Sequence, residues 1–145
     1  MAVTTAISTK EFKRIADAAY KGKAVRVSLH NNGGSTLNAD STITDWDAVK
    51  LPDANGYADY DVAALPEGGL DAGTDDRWEI GEAPGPNTYI DAEFNATDAG
   101  FTFNTVVVRI ATEDYPHSIL VETPNVTVAP GQTMTYRVQL LIDNI

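Results

Sequence analysis

Apolar and polar residues alternate along much of this chain, and the alternation is densest between residues 101 and 142. Residues 101–110 are rich in β-branched and aromatic types. Near the end Met134, Tyr136, Val138, Leu140 and Ile142 alternate with Thr135, Arg137 and Gln139. A period of two sets one apolar face against a core and one polar face toward water, which is the signature of a strand. The run Val106, Val107, Val108 breaks the alternation and suits a strand covered on both faces. Residues 118–122 and 126–128 form two further strand patterns, set apart by the turn formers Pro124-Asn125 and followed by Pro130-Gly131. Four successive strands are therefore expected here.

Upstream the period changes. Ser8 or Thr9 with Glu11 has the form of a helix cap, and Phe12, Ile15, Ala16 and Ala19 then share one helical face until Gly22 offers a stop. Residues 24–29 alternate with Val25, Val27 and Leu29 inward. A turn-rich loop follows to about residue 41. Residues 44–51 read as one helical turn capped by Thr44 or Asp45, stopped by Pro52, with Trp46 covering a core edge. Strands are expected at 57–62, 77–80 and 88–94, the last with Ile90, Ala92 and Phe94 opposed to Tyr89, Asp91 and Glu93. Residues 66–74 and 81–87 are Gly/Pro loops, and residues 98–100 turn the chain into the central strand. The expected fold is mainly β: a single β-sandwich or jelly-roll-like domain of about eight strands with one N-terminal amphipathic helix. Its parts are an arm at 1–9, the helix at 10–22 and the β-sandwich at 24–145.

A chain of 145 residues is long enough to bury a core. It contains no cysteine, which excludes a disulfide framework, a thiolate metal site and a cysteine nucleophile, and fits folding in a reducing cytoplasm. The first residues lack the basic and apolar regions of a signal peptide. No stretch approaches the roughly 18 apolar residues of a membrane span, so no membrane partner is expected. Net charge is −11 but uneven: residues 10–26 carry about +4, the remainder about −15. An acidic body argues against nucleic acid, whose backbone calls for clustered Lys and Arg. Lys10, Lys13, Arg14 and Lys21 make either a solvated helix face or a docking face for an acidic neighbour.

Candidate chemistry is sparse. Asp114, His117 and Ser118 lie within five residues, but triads are assembled from distant positions, and a turn at Pro116 explains the stretch better. Asp71, Asp75, Asp76, Glu79 and Glu82 surround a glycine-containing loop, as calcium ligands do, though not with EF-hand spacing. Solvated acids are the simpler reading, and no metal or cofactor is expected. Asp45 and Asp47 flank Trp46, an arrangement compatible with a sugar platform that would also use Trp78 and Tyr89. Tryptophans are more often buried anchors. Asn95 and Asn125 begin glycosylation sequons that read as chance matches without a secretion signal. No phosphate loop, dinucleotide fingerprint or zinc spacing occurs, and an enzyme is not expected.

The order of elements carries a resemblance. The helix leads into residues 22–29, and later come residues 101–110, then residues 115–121, then residues 128–138 with the turn Pro130-Gly131-Gln132-Thr133. This resembles small structural proteins of tailed bacteriophages, in which a final strand after such a turn completes a β-sandwich. The resemblance spans most of the chain and rests on β-hairpin grammar. It implies a non-enzymatic virion component, folded in the host cytoplasm, with capsid cement or decoration as the first placement. A tail or fibre-attachment role is the second, and a carbohydrate-binding module is the rival from another class. The implied partners are the major capsid protein or tail and fibre proteins, and further copies of the chain, with trimers the expected oligomer. The expected interface comprises Val3 and Ile7 of the arm, with Lys10, Lys13, Arg14 and Lys21 of the helix, beside sheet edges.

Overall fold

A computed structural model describes residues 14, 23–32, 36–62, 79–81, 87–110 and 112–142, with the backbone alone at 79–81, 87–89 and 139–142. Along them run β1 (Val25–His30), α1 (Ile43–Asp47), β2 (Tyr60–Val62), β3 (Glu79–Gly81), β4 (Asn87–Asn95), β5 (Phe101–Ile110), β6 (Ser118–Val128) and β7 (Thr133–Ile142). The described chain is thus mainly β. Its strands form two antiparallel sheets, ordered β2-β1-β5-β6 and β3-β4-β7.

One apolar cluster draws on both sheets. Val25, Val27 and Leu29 of β1 and Val106 and Val108 of β5 bury the same face as the alternation requires, and Phe103 joins them across an irregularity at Asn104. Ile90, Ala92 and Phe94 of β4 and Val138 of β7 join them from the second sheet. Tyr57 lies between, stacked on Phe94 at 6.1 Å and edge-on to Phe101 at 5.5 Å. The opposite face of the first sheet is covered as well. Val107 meets Ile43 and Trp46 of α1, with Leu37, Val49 and Ile119 around them. The unbroken Val106–Val107–Val108 run is explained by this: neighbouring valines enter different clusters on the two faces of one strand.

Three loops lock together at one end. The connections from β4 to β5 and from β6 to β7 both cross between sheets, and they bond to each other through Ala96 N–H to Gln132 O at 2.9 Å and Gly131 N–H to Ala96 O at 2.8 Å. Asn55 O accepts from Thr97 N–H at 2.7 Å and ties in the third loop. Two glycines are required by this crowding. Gly56 (φ 82°) would place a Cβ 2.8 Å from Asn95 O, and Gly100 (φ 70°) would drive one into Val128 O.

Several expectations shift. Residues 118–128 are one strand, not two, because β5 pairs with both ends of it: Val106 opposite Leu120, Phe103 opposite Val126. Only Asn104 opposes residues 122–125, so Pro124 sits in an irregularity of a strand that is at the edge among the described strands, where its missing N–H costs no ladder bond to β5. The helical turn begins at Ile43, capped by Thr42, whose Oγ1 accepts from Asp45 N–H at 3.1 Å. The strand expected at 57–62 shrinks to 60–62, since Tyr57 turns into the core. The strand expected at 77–80 is described at 79–81, with Arg77 and Trp78 outside the described residues. The arm at 1–9 and the helix at 10–22 also lie outside them except Arg14, which is helical and exposed.

Candidate interaction surface and the buried polar network

Beneath α1 the first sheet carries polar side chains where alternation alone would expose them. Ser28, His30 and Thr105 are all buried. His30 is only 1% exposed, so both ring nitrogens need partners. Nδ1 lies 2.9 Å from Trp46 O, an acceptor only, so Nδ1 carries the proton. Nε2 is therefore the acceptor in the neutral ring, and Ser28 Oγ donates to it at 2.8 Å. Trp46 packs edge-on against the imidazole at 5.4 Å and donates its Nε1–H to Asn38 O. Burial pushes the His30 pKa down, against the backbone bond to Trp46 and the nearby carboxylates of Asp47 and Asp59, which favour the charged ring.

A second set of bonds ties the sheet to the loop before β2. Tyr57 Oη accepts from Leu29 N–H at 2.9 Å and donates to Asp59 Oδ1 at 2.6 Å. Asp59 also takes Lys50 Nζ at 2.9 Å. Arg26 forks onto Asp61 at 2.7 and 3.1 Å, and that bond raises its pKa. Burial, helped by Asp59, raises the Tyr57 pKa, so its hydroxyl keeps its proton. The space among these groups is about 10 Å³, the size of a single water. Ser28 and His30 form a nucleophile–base pair in composition, yet no substrate can reach them. The network holds α1 and its loops on the sheet.

The other feature is a flank. Both sheets end there among the described strands, the first in β6 and the second in β7. Tyr136 of β7 donates to Glu122 of β6 at 2.6 Å, and one opening lies on each side of this bridge. The opening at the locked-loop end, about 350 Å³, is lined by residues 126–128 and 132–134. The other, about 240 Å³, is lined by Val106, Val108, Leu120 and Val138 with Ser118, Ile119 and Arg137. Leu120 is 46% exposed at its rim. On the opposite face of β6, Val121 shares the side of Thr105 and is 60% exposed. Tyr115, 56% exposed, stands in the loop that α1 holds through Ile43 N–H to Asp114 O. Large apolar side chains thus stand in water on a strand that ends its sheet among the described strands.

Of the residues singled out from sequence, Val3, Ile7, Lys10, Lys13 and Lys21 lie outside the described residues, as do Asp71, Asp75, Asp76 and Glu82, and the side chain of Glu79. Asp114 is exposed, while His117 bonds its neighbour Ser118 at 3.2 Å and anchors its N–H on Val108 O. That is a turn, not a catalytic array. Trp46 is fully buried and cannot serve as a sugar platform. Asp45 and Asp47 are exposed beside it without joining it in a site. Among the described residues no three His, Asp or Glu come together to hold a metal, and no helix is long and apolar enough to cross a membrane. Sequence reading misses the Ser28–His30 pair. Its one signal is a polar residue at every outward position of a strand whose neighbour, β5, has Val107 outward. No family model, no curated protein and no solved structure matches this chain.

Proposed function

We propose that this protein is a non-enzymatic structural component that works by protein–protein contact. In this reading the two sheets close into a β-sandwich, the amino-terminal helix presents Lys10, Lys13, Arg14 and Lys21, and the arm with Val3 and Ile7 orders on a neighbour. The observation that carries it is the outer face of β6, the last strand of its sheet among the described strands, where Val121 is 60% exposed while most other large apolar residues among the described ones are buried. Edge strands add partners through backbone bonds, and exposed side chains beside them supply apolar contact. The resemblance in element order makes the assembly a tailed-phage virion, with capsid cement or decoration first and tail or fibre attachment second. The test is incorporation. Full-length Val121→Asp should fold normally by circular dichroism yet be lost from assembled particles, as should a chain lacking residues 2–9. Normal occupancy of both variants would refute the reading. Light scattering at low and high salt measures the oligomer, and salt-driven dissociation is expected if the basic helix meets an acidic body.

A further inference from the structure

The 240 Å³ opening between β6 and β7 is a largely apolar gap beside the core, and the chain has a segment of amphipathic sequence pattern upstream of β1 that could cover it. Chain entry places that segment nearby. Val25, the first residue of β1, pairs with Ile110 at the end of β5, and Ser118, the first residue of β6, pairs with Val108 at that same end. β1 and β6 are separated by β5 alone, so the entry point and the rim lie about 10 Å apart across two strand spacings. The 350 Å³ opening is at the far end, beside Val128 and the locked loops. Twenty-two residues precede Lys23, including a twelve-residue helical pattern about 18 Å long with Phe12, Ile15, Ala16 and Ala19 on one face. Arg14, on the opposite face of that pattern, is helical and exposed.

We propose that residues 10–22 dock as a helix in the 240 Å³ opening of their own chain, with Phe12, Ile15 and Ala19 against Val106, Leu120 and Val138. The docked helix turns its basic residues outward to water, as the opposite side of the pattern from Phe12, Ile15 and Ala19 requires. The short tether favours the segment's own chain, because a linker of a few residues gives an effective concentration of about millimolar. The inference uses the inner side of β6 and is independent of the Val121 contact surface.

The absence of native cysteine makes a clean test. In full-length Ile15→Cys/Leu120→Cys, mild oxidation should give a disulfide within one chain, seen as a faster-migrating monomer on non-reducing gels and as a linked peptide by mass spectrometry. Ile15→Cys/Met134→Cys, which aims at the far opening, should link at least tenfold less. Disulfides between chains would overturn the proposal in favour of a second copy as occupant. No link, or equal linking to Met134, would overturn it outright. As a second readout, Ile15→Asp should speed tryptic cleavage after Lys21 about tenfold while the strand signal in circular dichroism is kept. An unchanged cleavage rate would also overturn it.

Discussion

The two faces of the first sheet are covered in different ways, although the same strands supply both. The inner face of β1 and β5 presents Val25, Val27, Leu29, Phe103, Val106 and Val108, and nothing polar, to the core shared with the second sheet. The outer face presents Ser28, His30, Thr105 and Val107 to α1 and its loops. The inner contact is non-directional and scales with area, so it tolerates any residue of suitable volume. The outer contact depends on where hydrogens point: Ser28 to His30, His30 to Trp46 O, Trp46 to Asn38 O. The inner face buries the larger apolar cluster, so it is expected to contribute more of the stability. The outer face selects one position for the 36–51 segment.

The inner face should therefore give the largest losses. Phe103 is fully buried and meets Tyr136 edge-on at 5.9 Å, so Phe103→Ala should cost about 3–5 kcal/mol in urea unfolding. A loss under about 1 kcal/mol would mean that the two sheets do not share this core. On the outer face His30→Phe keeps the ring and its contact with Trp46 but strands the Ser28 hydroxyl. Trp46 O is not left empty, because Val49 N–H also reaches it at 3.0 Å. The expected cost is about 2 kcal/mol. Ser28→Ala leaves only one imidazole nitrogen without a donor and should cost about 1 kcal/mol. If Ser28→Ala costs more than His30→Phe, the donor and acceptor roles assigned to these two side chains are wrong.

Much of the inner face is legible in the chain because a single physical rule governs it. Ile90, Ala92 and Phe94, or Val25, Val27 and Leu29, declare their side by period alone, and the strand at 101–110 has the bounds that its composition suggests. The outer face is legible only through the Val106–Val107–Val108 run, which says that a cover exists but not what it is made of. The partners of His30 lie up to sixteen residues away, and no local pattern marks a backbone carbonyl as an acceptor. The break at Pro124-Asn125 misleads for a related reason. Turn chemistry is local, whereas β5 pairs with both ends of residues 118–128 and so spans the interruption. The surface strip of β6 is hidden too, since Leu120 and Val121 look like core residues until the sheet order leaves β6 at an edge among the described strands.

Titration of His30 gives the smallest effect and the sharpest distinction between the faces, because the tyrosines packed on the inner face, Tyr57 and Tyr136, have pKa values raised by burial and keep their protons near neutrality. Burial lowers the pKa of His30 in the folded chain, so the unfolded chain binds more protons near neutrality and stability rises with pH. Its contribution is complete above the unfolded value of about 6.5 and is lost as pH falls through the lower folded value. If the native ring stays neutral, moving from pH 7.5 to 6.0 should remove about 0.8 kcal/mol in a His117→Gln background, where His30 is the remaining histidine. Carboxylates of ordinary pKa are ionised in both states across this window and add little slope. Phe103→Ala should keep the same pH dependence on a lower baseline, since its loss comes from the other face. His30→Phe should abolish the dependence. An equal slope in His30→Phe would place the titrating group elsewhere and remove the polar lock from the outer face.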